Sequence, residues 1–223
     1  MIVTATARLA GAPRTENQEI MKINHRFLKY TAGAALLLLP QTPKAGISGT
    51  PHDFSTRGWG SVEICKFCHT PHESDKTVPD APLWNHKVSS ASYTVYSSPT
   101  LNAVVGQPAA SSKLCLSCHD GTVAIDSFNG DEGMEFLSGP ALLGADLSDD
   151  HPVSFTYDAA LAAADGGLAT PVSANMVDAA GVIRLFNGKL ECSSCHDAHK
   201  NDYPPFLRAD NTGSQLCLKC HLK

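Results

Sequence analysis

All eight cysteines of this 223-residue chain fall into four copies of one pattern, C-x-x-C-H: Cys65-Lys-Phe-Cys68-His69, Cys115-Leu-Ser-Cys118-His119, Cys192-Ser-Ser-Cys195-His196 and Cys217-Leu-Lys-Cys220-His221. No other feature restricts the fold as much. Two thiols three positions apart can add to the two vinyl groups of a single haem, and the histidine that follows can turn its imidazole onto the iron as proximal ligand. Structural zinc also uses paired C-x-x-C motifs, with two pairs making one tetrahedral thiolate site. Such a site has no need of a histidine directly after the second cysteine, yet here that histidine is present in every copy. The pattern reads as four covalently bound c-type haems, with His69, His119, His196 and His221 as the proximal iron ligands.

The amino-terminal part reads as a leader. Residues 1–20 lie ahead of a second methionine, Met21, and look like an upstream extension that belongs to neither signal nor domain. Residues 21–45 combine a basic stretch around Lys22, Arg26 and Lys29 with the short apolar run Ala32–Leu39, the pattern of a secretory signal cut near Ala45. That run is too short to span a bilayer. Without residues 1–45, the chain keeps 11 Lys/Arg against 20 Asp/Glu, a net charge of −9. So acidic a protein is not expected to bind nucleic acid or an anionic membrane surface. The location expected is periplasmic or extracellular, which agrees with haem attachment outside the cytoplasm and with the lack of an odd cysteine.

Residues 46–223 show no long apolar periodicity and are rich in Gly, Pro, Ser, Asp and Asn. The fold class expected is a small, loop-rich multihaem cytochrome c fold with short α-helices at the haem motifs. Its core would be built largely from the four haems, because so loop-rich a chain has little apolar surface of its own to bury. Two local elements are predicted besides: a minor β-hairpin near 182–192 around Asn187-Gly188, and a short helix after Asp158 stopped by Gly166-Gly167.

The same ligand order occurs twice. His52, Cys65-x-x-Cys68-His69-x-x-His72 and Leu114-Cys115-Leu116-x-Cys118-His119 are matched by His151, Cys192-x-x-Cys195-His196-x-x-His199 and Leu216-Cys217-Leu218-x-Cys220-His221. Two haem-pair repeats follow, roughly 46–139 and 140–223. In this doubled motif the chain resembles the multihaem cytochromes c over essentially all of residues 46–223. The resemblance implies an exported electron carrier whose partners are redox proteins. For some tetrahaem members it also implies self-assembly into extracellular electron-conducting filaments.

Six-coordinate irons need distal ligands. His72 and His199 share one offset, three residues past a proximal histidine, from which an imidazole points away from its own iron toward a neighbouring haem. His52 and His151 hold the equivalent place ahead of each repeat and are each expected on the first haem of their pair or on a haem of an adjacent subunit, which His52 could reach from its amino-terminal arm. His86, in Pro-Leu-Trp84-Asn-His86, has no counterpart and is the expected spare. Met134 and Met176 stand as weaker candidates, and Trp84, Tyr93 and Tyr96 either stack on porphyrin faces or simply pack. A multihaem reductase would need an open iron position and acid/base groups beside it. With more candidate histidines than irons, the chain reads as an electron carrier and not as an enzyme.

Overall fold

The computed structural model describes residues 46–222, so the leader expected over 1–45 lies outside the described residues. Within them the regular elements are short. Strand β1 (Thr94–Val95) pairs in parallel with β2 (Asp146–Leu147), and β3 (Phe155–Thr156) pairs antiparallel with β4 (Lys189–Leu190). Helix α1 (Ala110–His119) ends on the second haem motif, α2 (Ala159–Asp165) follows β3, and α3 (Cys192–Cys195) is one turn that contains the third motif. A 3-10 turn over Cys217–Lys219 carries the fourth motif, and a run of turns carries the first. Among the described residues no helix is long and apolar enough to cross a membrane.

Local chemistry accounts for these boundaries. Asp158 caps α2 by accepting from the Leu161 amide at 2.8 Å, and Gly166 ends it in the left-handed conformation at φ 70°. At Asn187-Gly188 both residues have positive φ, 51° and 73°, the geometry of a two-residue hairpin turn, and Phe186 and Lys189 exchange backbone hydrogen bonds of 2.9 and 3.0 Å across it. Beyond that single bridge the arms part: Arg184 pairs with Met176, and Leu190 pairs with Phe155. The predicted hairpin over 182–192 is therefore a tight turn whose arms are drawn to other strands, because each finds apolar cover there.

The polypeptide contributes apolar clusters of its own. The larger gathers Phe155, Tyr157, Val177, Ile183, Leu185, Leu190 and Leu216 around the approach to the third and fourth motifs. A smaller one joins Tyr93, Leu116 and Leu147 beneath α1. Phe67, inside the first motif, is 1% exposed and meets the rings of Phe54, Trp59 and Phe128 edge-on. Ile183 is fully buried in the larger cluster. Ile183→Ala should therefore destabilise the protein by about 2–5 kcal/mol, read as a lowered denaturation midpoint of the haem-loaded protein with the haem count unchanged.

Candidate haem site

Three of the four proximal histidines, His69, His119 and His196, are oriented by a stretch of backbone that their own motif folds against. In the first motif His69 donates Nδ1–H to the Pro82 carbonyl at 2.6 Å, while the Thr70 amide bonds to Leu83 and the Asn85 amide to Cys68. In the third, His196 donates Nδ1–H to the Pro205 carbonyl at 2.9 Å, the Asp197 amide bonds to Phe206 and the Arg208 amide to Cys195. The two clasps correspond residue for residue: Pro82-Leu83-Trp84-Asn85 and Pro205-Phe206-Leu207-Arg208. Leu83 and Phe206 both sit at positive φ, 54° and 60°. Asn85 and Arg208 each send a side-chain N–H back to the residue after the first cysteine, Lys66 and Ser193. In the second motif the carbonyl is that of Ala141, 2.8 Å from His119 Nδ1. A carbonyl can only accept, so in all three the proton sits on Nδ1 and Nε2 is left with its lone pair.

Those clasps were not anticipated from the sequence. Their signal, Pro-Leu-Trp-Asn against Pro-Phe-Leu-Arg, is masked by different spacings from the motif and by chemically unlike residues in its last two positions.

The distal candidates fall into place as pairs. The ring centroids of His69 and His199 are 6.0 Å apart, those of His52 and His119 are 6.2 Å apart, and those of His151 and His221 are 6.3 Å apart. Two imidazoles on opposite faces of one metal, each bonded at about 2 Å, have centroids about 6 Å apart. The residues present thus fit a six-coordinate haem at three motifs. His52 and His151 face the second motif of their repeat, whereas the expectation from sequence places them on the first. The first motif instead receives His199 from the other repeat. His52 is tied to its own chain, with its ring stacked on Phe206 at 4.4 Å.

Three members of the set are left over. His72 and His196 are exposed, and among the described residues neither has another imidazole at ligand-pair distance. His86 is buried, 3% exposed, with Nδ1 2.8 Å from the Lys87 carbonyl and Nε2 3.1 Å from that of Ala124. Both its nitrogens face backbone carbonyls, and as a neutral ring it can donate to only one of the two. Burial lowers the pKa of His52, His86 and His151, which favours the neutral imidazole, the form that can bind a metal.

Distal His199 has a carboxylate beside it. Asp197 Oδ1 lies 3.5 Å from His199 Nδ1, and Oδ2 takes an ion pair at 3.1 Å from Arg208. Burial alone would raise the Asp197 pKa, but the His199 amide and the Arg208 guanidinium hold it below its usual value.

Cysteines of successive motifs are neighbours. Cys118 lies beside Cys68, Cys115 beside Cys192, and Cys195 beside Cys217 and Cys220. Burial first, and then neighbouring cysteines of the same or the adjoining motif, push the thiols of Cys68 and Cys195 up to about 11 and those of Cys118 and Cys220 up to about 12. Before haem attachment they are thiols, not thiolates, at neutral pH.

A family model described as the doubled CXXCH motif matches residues 185–223. This segment carries the doubled motif of multihaem c-type cytochromes. Haem binding and electron transfer are the functions to which the motif points. No curated protein matches the chain.

Proposed function

We propose that the protein is an exported tetrahaem cytochrome that carries electrons between redox partners through bis-histidine haems. The observation that carries this reading is the set of three histidine pairs, His69/His199, His52/His119 and His151/His221, each at the separation that one iron between them requires. When bound, c-type haem supplies a one-electron ferric/ferrous couple. The chain's residues hold and orient it: the cysteines by thioether bonds, the proximal histidines by Nε2, and the Pro82, Ala141 and Pro205 carbonyls by fixing the tautomer. Two nitrogen ligands place the couple below that of a histidine/methionine site, since thioether ligation raises the potential. The cysteine neighbourhoods order the motifs as first, second, third, fourth, a linear path with one step between consecutive sites.

A pyridine haemochrome assay with intact mass tests the count. Four covalent haems per chain are expected, and a colourless zinc protein would overturn the reading.

A second reading concerns assembly, and the unpaired His72 and His196 favour it. Within the chain, the first motif of one repeat takes its distal histidine from the next repeat, as His69 does from His199. Carried forward one repeat, the same relation gives His196 the residue equivalent to His199, which is His72 of another copy. A head-to-tail contact of this kind does not close on itself and extends as a filament.

A further inference from the structure

The junction of the second and third motifs holds a carboxylate that the haem reading has not used. Glu191, directly ahead of Cys192, is 1% exposed. Its Oε2 accepts hydrogen bonds from the hydroxyls of Ser112, in α1, and Ser154, the latter at 2.8 Å. Each hydroxyl also accepts from backbone, Ser112 Oγ from the Cys192 amide at 3.0 Å and Ser154 Oγ from the Ala109 amide at 2.9 Å, and the Ala109 carbonyl lies 3.4 Å from Ser154 Oγ. The other oxygen, Oε1, is buried without any hydrogen-bond partner. Among the described residues no Lys, Arg or His forms an ion pair with it.

A buried carboxylate with no cation beside it is costly as an anion unless a positive charge compensates it. What flanks Glu191 is the contact between Cys115 and Cys192, the first thioether positions of two successive haem sites, and Ser111 and Ser193 close the same junction at 2.6 Å. We propose that Glu191 is the fixed countercharge of the haems held by the second and third motifs, stabilising their ferric state and so lowering their reduction potentials relative to the same sites without it. It acts through the field at the two irons and touches neither, which makes it a positioning residue of the electron path. The inference rests on the tetrahaem reading above. Among the described residues the other buried carboxylate near a motif, Asp120 directly after His119, is held by the hydroxyls of Ser89, Tyr93 and Thr122.

The test is a spectroelectrochemical titration of the haem-loaded Glu191→Gln protein, with the haem count taken on the same preparation. Glutamine keeps the size and can still accept from Ser112 and Ser154, so a purely structural role would leave the potentials in place. Expected are four haems, all low-spin, with two of the four potentials shifted upward and the other two unmoved. Four haems with unchanged potentials, or one uniform shift of all four, overturn the proposal. Should Glu191→Gln lose haem, Ser154→Gly serves instead. Ser154 sits at φ 61°, where glycine is at ease, and the change removes one donor dipole from the carboxylate while leaving its charge. The same two potentials should then fall, and their standing still overturns the idea. A wild-type protein with fewer than four haems would strike the underlying reading, whereas unmoved potentials in a four-haem Glu191→Gln protein strike this inference alone.

Discussion

Replacing His199 with alanine should leave four haems attached and turn one of them high-spin and open to carbon monoxide. The thioethers do not depend on His199, so mass and haem count stay as they are, while the iron on His69 loses the imidazole whose ring lies 6.0 Å from its own. The affected haem can be recognised. The rings of His69 and His199 are nearly parallel, at 17°, whereas those of His52/His119 and His151/His221 stand at 70° and 78°. Parallel ligand planes split the iron d orbitals more than crossed planes do. The low-spin resonance that disappears should therefore be the rhombic one, with the strongly anisotropic signals left in place. A low-spin spectrum that does not change in His199→Ala removes this residue from the ligand set.

Replacing His72 with alanine should do something different: dissolve an assembly. If His72 of one copy completes the iron on His196 of the next, the wild-type protein elutes as polymers, and His72→Ala elutes as a monomer with four haems, one of them five-coordinate. His52→Ala, by contrast, should weaken the iron on His119 within each chain and leave the polymers intact, because His52 faces His119 at 6.2 Å in its own chain. A monodisperse wild-type monomer with four low-spin haems at high concentration ends the filament reading, since every iron would then be satisfied without a neighbour.

What could be read from the sequence is what short spacing encodes. Cysteine and proximal histidine positions are local, and so is the Asp158 cap and Gly166 stop of α2. The doubling of the ligand order was legible for the same reason. Which histidine meets which was not. His199 lies in one repeat and its partner in the other, and that meeting depends on how loops of unequal length route the chain. The clasps at Pro82 and Pro205 were hidden because a carbonyl does the orienting, and a carbonyl leaves no residue signature. Glu191 carries no sequence signal beyond standing directly ahead of Cys192. Only the convergence of Ser112, from α1, and Ser154 upon it shows that it is enclosed. The hairpin around Asn187-Gly188 was half legible, since turn geometry is local whereas the choice of strand partners is not.

The crossing of His199 over to His69 also has a consequence in time. His69 leaves the ribosome 130 residues ahead of the imidazole that faces it. The site begun first is thus among the last to be completed. A chain that stops before residue 199 would be betrayed at its opposite end, by an iron still accepting outside ligands, so the state of the first haem reports whether synthesis has run past the third motif.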